Sequence, residues 1–128
     1  MKIKLNSVYV DDQKKALKFY VKKLGFVKKT EIDFGPALWL TVVSPDEPDG
    51  TQLVLEPDSN PAAKTFKKAL HQQGIAFTAF EVTDIEKEYQ RLKSIGVTFI
   101  SEPKNAGPVT LAVLDDTCGN LIQIYQVS

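Results

Sequence analysis

Hydrophobic and polar residues follow two distinct patterns along this chain. Short segments rich in β-branched and aromatic residues are typical of strands, whereas other segments carry apolar residues three and four positions apart, as amphipathic helices do. In the first half, the pattern predicts a strand at 3–10, a helix at 12–24, and strands at 26–33, 37–44 and 51–56. Asp12 is placed to cap the helix and Gly25 to end it. The first half therefore has the order βαβββ.

The second half repeats this order. Val10-Asp11-Asp12 recurs in the second half as Val82-Thr83-Asp84, and Gly35-Pro36 recurs at the same interval as Gly107-Pro108. The predicted elements are a strand at 75–82, a helix at 84–95, and strands at 97–101, 109–114 and 121–127. Between the halves, Asn60-Pro61 begins a linker helix that Gly74 ends. We expect one domain over 1–128, with module one at about 1–57, the linker helix at about 60–74 and module two at about 75–128.

A βαβββ module has one helix, which covers one face of its sheet and leaves the other face open. We therefore predict an α+β fold in which two tandem modules form a curved mixed sheet around an open cup, with the helices on the outer face. Side chains alternate across a strand, so Val8 and Val10 share the helix face while Leu5, Ser7 and Tyr9 share the other. The open face is an expected ligand pocket, although a second core or a subunit interface fits the same pattern equally well.

Nine residues are predicted to line this cup. They are Leu5, Ser7, Tyr9, Trp39, Val54, Glu56, Phe77, Gln123 and Tyr125. The direction of Trp39 is left open, because segment 38–43 is apolar on both faces.

Composition narrows the possible partners. The chain has 128 residues, with 16 Lys+Arg balanced by 16 Asp+Glu, which argues against a general nucleic-acid binder or a polybasic membrane protein. The N-terminal residues lack the apolar stretch of a signal peptide, and Cys118 is the single cysteine. We expect a cytoplasmic protein whose partners are small molecules or other protein chains.

Several segments resemble the vicinal oxygen chelate superfamily, which includes glyoxalase I, bleomycin-resistance proteins and extradiol dioxygenases. The resemblance covers essentially the whole chain. It rests on Val10-Asp11-Asp12-Gln13 leading into 16–20, on Lys23-Leu24-Gly25-Phe26, on Phe80-Glu81-Val82-Thr83-Asp84, and on the closing segment 115–124. It implies the fold and a homodimer, but not the reaction, because this fold supports several chemistries.

Metal-dependent members place one ligand on the first and one on the last strand of each module. Carried over by position, the resemblance implies Leu5, Glu56, Phe77 and Gln123, with Glu56 and Gln123 as matching places in the two modules. Only Glu56 is an ordinary ligand, since leucine and phenylalanine cannot coordinate a cation and a glutamine carbonyl is a weak ligand. We therefore expect neither a functional metal site nor a cofactor.

Three functions remain open. The first is a metal-independent small-molecule-binding protein of the bleomycin-resistance type. The second is a glyoxalase-type lyase or a dioxygenase-like enzyme that uses Glu56 as a general base or as a residual metal ligand. The third is a structural or regulatory protein whose open face is filled by another chain. For Glu56, a structural hydrogen bond to Gln123 is the favoured alternative to catalysis. His71 is interpreted as a partly exposed helix residue and Cys118 as a turn thiol.

Overall fold

The computed structural model describes the whole chain, Met1–Ser128. The first strand, helix and three strands are β1 (Leu5–Val10), α1 (Gln13–Lys18), β2 (Val27–Asp33), β3 (Leu38–Val43) and β4 (Gln52–Pro57). A π-helical turn, Phe19–Lys23, continues α1. The linker helix is α2 (Pro61–Gln72). The second set is β5 (Thr78–Glu81), α3 (Ile85–Ser94), β6 (Phe99–Ala106), β7 (Val109–Asp115) and β8 (Leu121–Val127).

The strands hydrogen-bond as two four-stranded mixed sheets, one in each module. Their orders are β1-β4-β3-β2 and β5-β8-β7-β6. In each sheet the first and last strands of the module pair in parallel, and the remaining pairs are antiparallel. The predicted α+β fold with two βαβββ modules is confirmed.

The chain divides into two compact units, Met1–Phe66 and Lys67–Ser128. The boundary falls inside α2, so part of the linker helix belongs to each unit. None of the helices combines the length and the apolar character that crossing a membrane requires.

Each unit has a core between its helix and one face of its sheet. In the first unit, α1 packs on β3 and β4, and Val8, Val10, Leu40 and Leu55 are fully buried. In the second unit, α3 packs on β6, β7 and β8, and the buried residues include Leu92, Ala112, Leu114 and Ile122. The predicted split of β1 is confirmed, because Val8 and Val10 are buried while Leu5 is 51% exposed.

Helix ends follow the sequence signals. The Asp12 carboxylate accepts a hydrogen bond from Lys15 N, as predicted for an N-cap, and Asp84 does the same for Lys87 N. Gly25 and Gly96 have φ values of 90° and 92°, the left-handed conformation that ends a helix without steric cost to glycine.

Strand bounds differ from the prediction mainly at β5 and β6. Strand β5 begins at Thr78, so Phe77 lies just before it, although Phe77 N still donates to Leu121 O at 2.8 Å. Strand β6 runs past Pro103 to Ala106, whereas the prediction stopped at 101. A register shift between Ser101 and Lys104 accommodates the proline on this edge strand, since edge strands and bulges are the positions in a sheet where proline is tolerated.

Candidate functional site

The first unit contains a pocket of about 340 Å³ where β3 begins and β4 ends. We call it the first-unit pocket. It is lined by Phe34, Leu38, Trp39, Val54, Glu56 and Pro57. This volume lies near the lower end of the range of small-molecule sites, about 300–1,000 Å³.

The pocket lies where two neighbouring strands separate. Strands β3 and β4 pair only at Thr41 with Val54 and at Val42 with Leu53. Beyond this point, the side chain of Gln13 takes the place of ladder hydrogen bonds. Its Nε2 donates to Leu38 O at 2.7 Å and to Leu55 O at 2.8 Å, and its Oε1 accepts from Leu38 N at 3.0 Å. The amide thus satisfies backbone groups that the opening would otherwise leave unpaired.

The second unit has no such opening between the corresponding strands. Strands β7 and β8 pair continuously from Val109 with Val127 to Asp115 with Leu121. Ile85 occupies the place in the second module that Gln13 occupies in the first. It is likewise the first residue of its helix, but it is a buried aliphatic residue with no amide to offer. The two modules therefore share a topology, but the glutamine-bridged opening occurs in the first unit.

Trp39 and Glu56 face the same pocket from neighbouring strands. The direction of Trp39, left open by the sequence pattern, is decided by its place in the pocket lining beside Val54 and Glu56. On the other side of β4, Glu56 lies opposite Tyr9 in the backbone register of the parallel strands β1 and β4. The Glu56 carboxylate is half-exposed, and no side chain or backbone group of the first unit forms a hydrogen bond or an ion pair with it. The structural hydrogen bond from Glu56 to Gln123 would join the two units and stays a prediction.

The structure places the nine predicted residues as follows. Trp39, Val54 and Glu56 line the first-unit pocket. Leu5, Ser7 and Tyr9 share one face of β1, the strand beside β4, but are not part of the pocket lining. In the second unit, Gln123 and Tyr125 share one face of β8, and Phe77 lies before β5. A cup that combines residues of both units stays a prediction.

Strand register corrects one positional match. In the first unit Ser7 pairs with Val54, and in the second unit Ala79, which matches Ser7 in the repeat, pairs with Gln123. Gln123 therefore corresponds to Val54 and not to Glu56, so the predicted match is wrong. The sequence separation between equivalent residues of the two modules is smaller for the last strands, β4 and β8, than for the first strands, β1 and β5. The loop before the last strand spans 44–51 in the first unit and only 116–120 in the second, which accounts for the difference.

The corrected positions for metal ligands are Leu5, Val54, Phe77 and Gln123. Three of these side chains have no atom that coordinates a cation, and the fourth offers a neutral amide oxygen. The structure brings no three His, Cys, Asp or Glu side chains together in a cluster that could hold a metal ion. The donor set does not fit the divalent ion of the metal-dependent relatives.

The turn between β7 and β8 holds the other buried polar residues of note. Asp116 is fully buried, and its carboxylate accepts hydrogen bonds from Cys118 N at 2.7 Å, Asn120 N at 2.9 Å and Asn120 Nδ2 at 2.9 Å. The buried Lys67 donates from Nζ to Cys118 O at 2.8 Å. These bonds give the closing segment 115–124 a structural role. Cys118, predicted as a turn thiol, lies in this turn and is buried.

The remaining titratable candidates lie on helices outside the pocket. His71 on α2 is exposed, as predicted, and its Nε2 lies 3.2 Å from Asp115 Oδ2. On α3 a hydrogen bond to Glu88 raises the pKa of Arg91 above its ordinary value. Neither group is part of the first-unit pocket lining.

Sequence reasoning missed four residues of the site. Phe34 lies in the turn between β2 and β3, and Leu38 and Pro57 lie at strand ends, where alternation carries little information. A phenylalanine in a Gly-Pro turn, 67% exposed here, is the signal that could have indicated a pocket rim. Gln13 was noted only as part of a motif.

Comparison with known proteins agrees with this geometry. The chain matches the family model "Glyoxalase/Bleomycin resistance protein/Dioxygenase superfamily" over residues 2–124. It is 56% identical to the Bacillus subtilis (strain 168) protein YurT over 126 residues, which is 98% of this chain and 99% of YurT.

Two solved structures illustrate the structural similarity. The crystal structure of UcmS2 superposes with a TM-score of 0.83 at 30% identity, covering 98% of this chain and 97% of that one. The structure of TnmS3, an antibiotic-binding protein from Streptomyces sp. CB03234, has a TM-score of 0.77 at 27% identity, covering 100% of this chain and 97% of that one. The family match over nearly the whole sequence, together with the two βαβββ modules, shows that this chain belongs to the glyoxalase/bleomycin resistance protein/dioxygenase superfamily.

Proposed function

We propose that this chain binds a small, mainly apolar molecule without a catalytic metal ion. The observation that carries the proposal is the first-unit pocket, in which Trp39 and the exposed Phe34 are arranged around a cavity of about 340 Å³. Aromatic side chains beside an open apolar cavity provide stacking surface for a planar ligand. The similarity to TnmS3, an antibiotic-binding protein, supports this class of function.

The corrected ligand positions support the metal-independent form of the proposal. By strand register, the first-unit counterpart of Gln123 is Val54. Glu56 is therefore not at one of the positions where metal-dependent members carry a ligand. Binding energy must then come from burial, stacking and hydrogen bonds rather than from coordination.

Trp39 makes the proposal directly measurable, because it is the single tryptophan of the chain and lines the pocket. Titration with a panel of planar aromatic compounds, including polycyclic antibiotics, should change Trp39 emission saturably for at least one compound. Val54→Glu places a second carboxylate in the pocket and should weaken that binding at least tenfold, whereas Asp46→Asn in the distant hairpin loop should leave it unchanged. Absence of saturable binding across the panel would refute the function.

The other predicted ligand-binding residues are part of the same proposal. These are Leu5, Ser7, Tyr9, Phe77, Gln123 and Tyr125. Phe77→Asp tests the contribution of the second unit: a drop in the affinity measured through Trp39 supports a cup shared by both units, and an unchanged affinity restricts the site to the first.

An enzyme is the second candidate, favoured by a Glu56 carboxylate that has no partner within its unit and lines an apolar pocket. Such a group is placed to remove a proton from a bound ligand as a general base. Chromatography of each binding compound after incubation tests this: a new product that is lost in Glu56→Gln would make the protein a lyase-like enzyme rather than a binding protein.

We also propose a homodimer located in the cytoplasm. The sheet edges β2 and β6 have unpaired backbone groups, and β2 carries the exposed Ile32, which fits pairing with a second copy. Light scattering at high protein concentration should give twice the chain mass, and cell fractionation tests the location.

A further inference from the structure

The charge of the first-unit pocket indicates which kind of ligand it binds, which the apolar lining alone does not. Of the six residues that line it, Glu56 alone is ionisable, so the cavity presents one carboxylate and no cation. The ion pairs of the first unit join Lys15 to Asp11, Lys28 to Glu31 and Lys29 to Asp49, and none of them includes Glu56. Within the first unit, the carboxylate of Glu56 is therefore not neutralised by an ion pair.

A carboxylate in this setting discriminates between ligands. An anionic ligand would be repelled, and a neutral ligand without N–H or O–H donors would remove water from Glu56 without replacing its hydrogen bonds. A protonated amine would supply both the opposite charge and N–H donors, and charge-assisted hydrogen bonds are stronger than neutral ones.

The aromatic residues of the pocket favour the same ligand. Indole is the best aromatic partner for a cation, and Trp39 lines the same pocket as Glu56. Phe34 adds an exposed ring at the rim. A planar aromatic body can stack on these rings while an amine attached to it reaches the carboxylate.

Building on the proposed small-molecule function, we propose that the first-unit pocket selects planar aromatic amines in their protonated form. Glu56 acts as the counter-ion of the ammonium group and is thereby the specificity-determining residue. Trp39 and Phe34 hold the ring system within the pocket of about 340 Å³.

Three ligands that share one ring system test this proposal by calorimetric titration. They are 1-naphthylmethylamine, its neutral N-acetyl derivative and the anionic 1-naphthylacetate. We expect the amine to bind at least tenfold more tightly than the neutral compound, as expected for a charge-assisted hydrogen bond. The anion should bind most weakly, and the preference for the amine should decrease as salt is raised.

Glu56→Gln keeps the size of the side chain and removes its charge, so it should abolish the preference for the amine while leaving the affinity for the neutral compound within about twofold. Asp46→Asn removes one charge from the exposed loop 44–51 of the same unit and should keep the preference. The proposal is overturned if the neutral compound binds the wild-type protein as tightly as the amine does, or if Glu56→Gln retains the preference. In those cases the small-molecule function still stands, whereas failure of all three compounds and of the wider panel to bind removes both.

Discussion

Asp116 shows how one buried side chain can determine a turn. Its carboxylate accepts three hydrogen bonds from Cys118 and Asn120, and it is fully shielded from water. Gly119 follows with φ of 97°, and a Cβ at this position would lie 2.8 Å from Nζ of Lys67, whose ammonium binds the Cys118 carbonyl. The turn therefore depends on a small set of buried polar contacts rather than on apolar packing.

Replacing this carboxylate should lower stability strongly. In Asp116→Ala, the buried donors of Cys118 and Asn120 lose their acceptor, and we expect a loss of about 2–4 kcal/mol in the free energy of unfolding. Denaturant titration followed by circular dichroism measures it. Asp46→Ala, an exposed aspartate, is the matched control and should change stability by less than about 0.5 kcal/mol. Equal stability of the two variants would contradict this account of the turn.

Among elements, the separation of β3 from β4 has the largest consequence for function. Gln13 at the start of α1 bridges Leu38 and Leu55 across the opening, and the pocket lies beside this bridge. The helix, its cap and the strands were predicted from periodicity and turn residues. The opening was not, because alternation describes which face a side chain occupies and says nothing about where two strands stop pairing.

Removing the bridge tests its role. Gln13→Leu leaves backbone groups of Leu38 and Leu55 without partners, so we expect a loss of about 2–3 kcal/mol in the free energy of unfolding. Binding of the panel ligand should also weaken. Trp39 fluorescence reports both quantities, since it lies in the first unit. Gln90→Leu, an exposed glutamine on α3, is the control and should have little effect on either quantity. Unchanged stability and binding in Gln13→Leu would show that the opening does not need the amide.

At the scale of the whole molecule, the two modules have diverged unevenly from a common βαβββ plan. Equivalent residues of the two modules are separated by fewer sequence positions in the last strands, β4 and β8, than in the first strands, β1 and β5. The reason is that the second module has the shorter loop before its last strand. Because of this difference, the residue of β4 that corresponds to Gln123 is Val54 and not Glu56. The pattern of the sequence predicted the duplication, but it could not predict the correct match, because loop length changes register without changing the alternation of either strand.

Metal content tests this conclusion for the full chain. After equilibration with nickel, zinc, manganese or ferrous iron followed by desalting, elemental mass analysis should find well below one ion per chain, because a transition-metal site needs about three suitable protein ligands. Glu56→Ala should give the same result. About one ion per chain that is lost in Glu56→Ala would restore Glu56 as a ligand and contradict the register-based assignment.

The sequence by itself determined the α+β class, the two modules, their helix caps and the burial of Val8 and Val10, because these depend on periodicity and on residues close together in the chain. It also identified Trp39, Val54 and Glu56 as pocket candidates. Only the tertiary structure decided that these three line one cavity and that Glu56 has no partner within its unit. The physical reason is distance along the chain: the bonds that bridge the opening between β3 and β4 join Gln13 to Leu38 and Leu55, which lie 25 and 42 positions away, beyond the reach of any local pattern.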